Sequence, residues 1–366
     1  NYKFEDKLEN AESNAFSFAY LCRDDLFVIP EWAKSSIVYQ IVPDRFAKEN
    51  DHYSREWYIP TRADTKLGGN IKGITKKLAY LSDLGINTIY LTPIFLSESS
   101  HKYDTKDYYK IDPEFGTKED LIELVNEAHK INMKVVLDAV FNHTGTDFFA
   151  FKDLITNQEN SDFKGWYNPH YFPVEIGRSF PNYSTFGYYG MMPKVMTDHP
   201  EAKEYFINVA LYWIKEADID GYRLDVADEI DHNFWRDFRR AVKSAKEDAL
   251  IVGESWREVS SFLNGDQFDS QMNYAVRHDI ISLLNGKSTA GDFVNSLGRN
   301  RNFFKKEPYS ILWNLIGSHD VQRIFNELNG DVDRLKLAIF ILLTLEGTPM
   351  IYYGDEAAMP GDETHK

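Results

Sequence analysis

Four short stretches hold the residues able to do chemistry. DAVFNH (138–143) carries Asp138, Asn142 and His143, and GYRLDVADE (221–229) carries Arg223, Asp225 and Glu229. GES (253–255) carries Glu254, and GSHD (317–320) carries His319 and Asp320. Two carboxyl groups in opposed environments are what cleavage of a glycosidic bond needs. One keeps a proton for the leaving oxygen, and the other is ionised to attack the anomeric carbon. Arg223 stands two residues before Asp225, so on a strand both side chains face one side. A guanidinium there would lower the pKa of Asp225 and favour it as nucleophile. Glu254 lies close to Trp256, an apolar neighbour that would raise its pKa and favour it as general acid/base. His143 and His319 can donate to sugar hydroxyls, and Asp320 can grip the 2- and 3-hydroxyls. Each residue also has an ordinary reading. An Asp after a strand is often a helix cap or turn former, a strand-end His is often packed, and Asp138 could simply brace Arg223. Seven such groups converging is harder to dismiss.

Convergence requires elements that end together. Short apolar, β-branched runs at 37–41, 88–91, 135–139, 221–225, 250–254, 270–274, 311–315 and 350–353 alternate with helical patterns. Continuous apolar runs suit a parallel sheet buried on both faces. Residues 117–129 open with a capping box, Thr117 as N-cap and Asp120 three later. Leu121, Leu124, Val125 and Ala128 follow at helical spacing. Residues 200–217 start at Pro200, and 332–345 show the same periodicity. Strand–helix alternation eight times over predicts an α/β fold, a (β/α)8 TIM barrel, whose strand C-termini gather catalytic groups. The interval 144–199, rich in Gly, Pro, Asn and aromatics, reads as an irregular domain B inserted after the third strand. The expected organisation is 1–30 as the remnant of a preceding β-domain, 31–143 as the first part of the barrel, 144–199 as domain B, and 200–366 as the rest. The barrel is expected to lack its last helix and a C-terminal β-domain, leaving apolar barrel surface exposed.

The 366 residues carry 41 Lys+Arg against 57 Asp+Glu, a net charge of −16. Such a chain repels phosphate backbones and anionic lipid, so neither nucleic acid nor a membrane surface is an expected partner. The single cysteine, Cys22, excludes an internal disulfide or a thiolate zinc cluster. No apolar run is long enough to span a bilayer. The absence of a leader and the lone cysteine suit a cytoplasmic location. The 25 Phe, 22 Tyr and 7 Trp suit a core and, more pointedly, a sugar-binding cleft. Gly68-Gly69-Asn70 is a turn before a helix; a lone GG is no phosphate loop.

DAVFNH, GYRLDVADE, GES and GSHD, in that order and spacing, resemble the conserved regions of the α-amylase family of glycoside hydrolases. The resemblance runs from about residue 31 to residue 360. It implies retaining chemistry on α-glucosidic bonds, with Asp225 as nucleophile, Glu254 as acid/base and Asp320 as transition-state stabiliser. By position, Arg223, His143 and His319 bind the −1 sugar and Tyr103 of HKYD stacks beneath it. Asp138, Trp256 and Arg323 join the substrate-binding set. MPKV (192–195), VADEIDH (226–232) and GDQFDSQMNY (265–274) are similar to signatures of the neopullulanase, cyclomaltodextrinase and maltogenic amylase group, in which Glu229 and His232 would line acceptor subsites. Val195, Asp228 and Ser255 depart from that group's usual Leu, Asn and Ile, and Asp228 adds negative charge beside the cleft. The implied substrates are cyclodextrins, pullulan or maltooligosaccharides. The rivals are a starch-preferring α-amylase, a transglycosylase, an α-1,6-glucosidase (which MPKV argues against) and a non-catalytic glucan-binding protein. The chemistry requires no cofactor. Asn142 occupies a position that binds calcium in many relatives, and the segment after PDRF keeps Asn50 and Asp51 of a calcium loop but is otherwise altered, short of the six to eight oxygens calcium needs; the alternative is that Asn142 hydrogen-bonds domain B without a metal. Similar enzymes often dimerise, so a homodimer is an expectation for the full-length protein.

Overall fold

The computed structural model describes residues 27–361, save 51–52, 54–61, 63–64 and 258. Cys22, Asp51 and most of the expected β-domain remnant lie outside the described residues.

Eight parallel strands close into a barrel in the order β1-β10-β9-β8-β7-β6-β5-β2. They are β1 (Val38–Ile41), β2 (Thr88–Leu91), β5 (Lys134–Ala139), β6 (Gly221–Leu224), β7 (Leu250–Gly253), β8 (Ser270–Asn273), β9 (Trp313–Leu315) and β10 (Thr348–Tyr352). All eight expected strands are present, each within two residues of its expected bounds at either end. Their inward side chains, among them Val38, Tyr90, Val136, Val252, Met272, Trp313 and Met350, pack as one cluster. The barrel is therefore a filled core and not a pore. The outward faces pack against the surrounding helices in a second, larger cluster.

Register carries the chemistry. Asp138 pairs with Arg223 across β5 and β6, and Leu224 pairs with Gly253 across β6 and β7. Asp225 and Glu254 therefore leave the barrel rim side by side. Gly253 admits no side chain, because a Cβ there would stand 2.6 Å from the Phe268 ring. The expected helices form at Lys118–Lys130, with Thr117 and Asp120 completing the capping box, at Pro200–Ala217, and at Val332–Thr344. On the last of these, Leu337, Phe340 and Leu343 stand exposed.

Two strands were not expected. β3 (Phe95–Ser97) and β4 (Thr105–Ile111) form an antiparallel pair whose connection carries His101 and Tyr103. TKDYYKI lacks the continuous apolar run by which the barrel strands were recognised. Between those two residues Lys102 adopts φ 65°, unusual for a side-chain-bearing residue. Its buried ammonium reaches Asp112 at 2.7 Å and Glu114 at 3.0 Å, which ties the turn down. Residues 144–199 hold one helix, Phe149–Asn157, short 3-10 turns and isolated bridges such as His143 to Lys194. Phe151, Trp166, Tyr167 and Tyr183 of this segment join the main core.

Candidate active site

A cleft of about 780 Å³ opens at the C-terminal rim of the barrel. His101, Tyr103, His143, Asp225, Glu229, Glu254, Trp256, His319 and Asp320 all contribute to its walls. Its volume suits a small ligand, and its walls mix aromatic faces with convergent polar groups.

The floor is organised by one guanidinium. Arg223, fully buried, places Nη1 3.0 Å from Asp138 and 2.9 Å from Asp225. Its Nη2 lies 2.9 Å from Glu254 and 3.9 Å from Asp320. Four carboxylates thus surround one cation. Burial, reinforced by Glu254, Asp138 and Asp320, raises the pKa of Asp225 well above the usual carboxylate range against the pull of Arg223. This corrects the expectation that Arg223 would lower it: desolvation and three like charges outweigh one counter-charge. Burial likewise lifts Asp138 to about 6. The protons of such a set belong to the cluster and not to single residues. Arg223 holds Oδ1 of Asp225, and Oδ2 has no hydrogen-bond partner.

The chain turns sharply behind Asp225. Val226, β-branched, sits at φ 46° and ψ 44°. Such a residue in the left-handed region is strained by about 1–3 kcal/mol. The turn aims its N–H at Oε2 of Glu254, 2.9 Å away, so the strained residue fixes one carboxylate while presenting the other.

Between the carboxylates the walls are aromatic. Burial lowers His143 to a pKa of about 3, so the ring stays uncharged. Its Nε2 has no partner, and its ring stacks on Phe186 at 5.0 Å. Tyr103 lies parallel to His319, 2° between planes at 5.3 Å, and donates from its hydroxyl to Asp138. Trp256, 56% exposed, stacks on Tyr274 at 4.2 Å and offers its remaining surface to the cleft. Glu229 also lines the cleft.

Four expected site residues are placed elsewhere. Asp138 is buried beneath Tyr103 and braces Arg223, the alternative reading given above. Arg323 does not line the cleft. It is buried, donates to the Tyr353 carbonyl, pairs with Asp355 at 3.2 Å, and packs over the Tyr352 ring at 4.1 Å. His232 also leaves the wall: its Nδ1 meets Gln267 at 2.8 Å and its ring stacks on Phe262. Nothing in GSHD or VADEIDH distinguishes a wall residue from a brace one turn away.

Asn142 is the fourth. Its Oδ1 accepts from Lys194 Nζ, which also reaches the Glu229 carbonyl at 3.1 Å and carboxylate at 3.2 Å. A calcium ion needs six to eight oxygens, and one bound to Asn142 would stand against this ammonium. Among the described residues no three His, Cys, Asp or Glu side chains are grouped to hold a metal. The residues around Asn142 do not fit calcium.

Sequence reasoning missed His101, Phe186, Met192 and Arg257 on the walls, and Gln40 below them. Gln40 stood inside the apolar run IVYQI, where a fully buried amide is itself a signal.

The described residues include no helix long and apolar enough to cross a membrane. Residues 40–366 match the family model "Alpha amylase, catalytic domain". The chain is 47% identical over 360 residues to a cyclomaltodextrinase of Thermoanaerobacter pseudethanolicus, covering 97% of this chain and 62% of that protein. It is 45% identical over 361 residues to neopullulanase 2 of Thermoactinomyces vulgaris, covering 96% and 61%. A solved cyclomaltodextrinase structure superposes with a TM-score of 0.93 at 40% identity, covering 100% of this chain and 64% of that one. The chain spans about three fifths of the length of the curated relatives it matches.

Proposed function

The chain belongs to the α-amylase family of glycoside hydrolases, and from that premise we propose that it cleaves α-glucosidic bonds, mainly α-1,4, with retention of configuration. The substrates are cyclodextrins, pullulan or maltooligosaccharides. One observation carries the reading. Asp225 and Glu254 share the two terminal nitrogens of Arg223 at 2.9 Å each, while Asp225 keeps one oxygen without a partner.

In this scheme Oδ2 of Asp225 attacks the anomeric carbon and forms a glycosyl-enzyme as Glu254 protonates the leaving oxygen. Glu254 then takes a proton from water, which attacks the same carbon and releases Asp225. Arg223 holds both carboxylates in place and offsets their charge through the two steps. Asp320, 3.9 Å from Arg223, faces the sugar's 2- and 3-hydroxyls. Neutral His143 offers Nε2 to a hydroxyl, and Tyr103 gives the ring a flat surface. Trp256 and Glu229 form the acceptor side. The names of the relatives support the substrate class, and no step passes through a metal.

Initial rates on β-cyclodextrin and soluble starch, measured side by side, test the reading. Faster turnover of the cyclodextrin is expected. Asp225→Asn should lower it by a factor on the order of 10⁴ or more. Faster turnover of starch would favour an open-cleft α-amylase, and no turnover of either, or of pullulan or maltooligosaccharides, by folded protein would overturn the hydrolase assignment.

A further inference from the structure

A proton inventory beneath the cleft reaches a residue that no motif marks. Gln40 lies on β1, fully buried, with Nε2 2.6 Å from Nδ1 of His319. On the other side of the imidazole, Nε2 lies 2.5 Å from the Tyr103 hydroxyl and 3.3 Å from Oδ2 of Asp320. The Tyr103 hydroxyl also lies 3.0 Å from Oδ2 of Asp138.

With Asp138 ionised, these contacts select one arrangement of hydrogens. Both oxygens of Asp138 face Nη1 of Arg223, at 3.0 and 3.1 Å, and Oδ2 also receives the Tyr90 hydroxyl at 2.5 Å. A carboxylate so surrounded accepts only. Tyr103 has a single hydroxyl hydrogen, which therefore goes to Asp138. Its oxygen must then accept from His319, so Nε2 carries the ring hydrogen. The nearby Asp320 oxygen asks for the same. A neutral imidazole with Nε2–H has a bare Nδ1, which must receive a donor. Of the Gln40 side chain, only the amide nitrogen can supply one. The cost is visible: Oε1 of Gln40 is buried without a hydrogen-bond partner.

We propose that Gln40 is a positioning residue that fixes His319 as its neutral Nε2–H tautomer, so that the ring hydrogen points to the Tyr103 and Asp320 side. The proposal rests on the reading of this cleft as a glycosidase centre. The orphaned oxygen adds a corollary. A second proton on His319 would meet the Gln40 N–H group, unless the amide turns over and brings Oε1 to Nδ1. Protonation of His319 and the orientation of Gln40 are thus one event. Among the contacts given by the described residues, the charged and titratable groups facing the imidazole are Asp320, Tyr103 and, behind them, Asp138 and Arg223, and Gln40 is neutral.

The primary test needs no turnover. In the full chain labelled at histidine nitrogens, long-range proton–nitrogen correlation at neutral pH reads the tautomer. The His319 signals are identified by their loss in His319→Asn. The Nε2–H pattern is expected, and an Nδ1–H pattern overturns the proposal. Kinetics supply a second readout. Gln40→Glu puts an acceptor at Nδ1, so the imidazole keeps both hydrogens to higher pH. Its kcat profile on β-cyclodextrin should move by about one pH unit or more, with KM changed less than about threefold. Gln40→Met removes the donor and should lower kcat about tenfold. A Gln40→Glu profile superimposable on the wild type overturns the assignment. If the chain turns over no glucan, the tautomer still decides this proposal while the hydrolase reading falls alone.

Discussion

At the scale of residues, two departures from the related signatures prove to be one. Ser255 donates its hydroxyl to Oδ2 of Asp228 at 2.9 Å and accepts from the Arg257 N–H at 3.1 Å. A hydroxyl is costly when buried without a partner. Here the partner is the second unusual residue, on the neighbouring β6 loop. The pair therefore makes a definite thermodynamic statement. In a double-mutant cycle of Asp228→Asn and Ser255→Ala, urea unfolding should give a coupling of about 0.5–1.5 kcal/mol. Strictly additive losses would show that the bond contributes nothing. Residue types alone could not reveal this link, because strands β6 and β7 must first be in register.

Elements decide which residues count as walls and which as braces. The eight barrel strands were legible because each is a short apolar run buried on both faces, and DAVFNH, GYRLDV, GES and GSHD follow directly from strand ends. Asp225, Glu254 and Asp320 were therefore placed from the sequence, together with His143 and Tyr103. Arg323 and His232 were not, because one helical turn separates a cleft residue from a buried one and no local pattern records the difference. The β3–β4 pair was missed since its strands are half polar. For Asn142 the sequence left two readings open, calcium or a metal-free hydrogen bond to domain B, because its own motif cannot show Lys194, 52 residues on, occupying its oxygen. That ammonium ties the end of the 144–199 segment to β5 and to Glu229. Lys194→Met should cost about 1–3 kcal/mol in urea unfolding, whereas a chelator should leave the wild-type melting temperature unchanged. A fall of several degrees with chelator would restore a cation to this fold.

The whole molecule adds a dependence on pH that belongs to the barrel's last seam. Burial raises Asp355 to about 7 despite its pairing with Arg323. The unfolded carboxyl loses its proton near pH 4, so between pH 4 and 7 the folded chain holds the extra proton. Stability due to this group is greatest below that window and falls as pH rises through it. Relative to the wild type, Asp355→Asn should gain stability from pH 4.5 to pH 7.5, by a few kcal/mol at most. Urea midpoints at the two pH values check this, and a constant gap would remove Asp355 as the cause. The same seam has a consequence in time. β1 meets β10 with Val38 opposite Met350, so the ring joins the first described strand to the last. A ribosome adding roughly 5–20 residues per second leaves the open edge of β1 waiting tens of seconds for its neighbour. Contacts this distant in sequence form slowly, and an unpaired strand edge is a template for aggregation. Gln40 rides on that strand, and its partner His319 lies 279 residues further along the chain, just past β9. Catalytic order would thus arrive late in synthesis, once β9 and β10 have emerged to close the ring on β1.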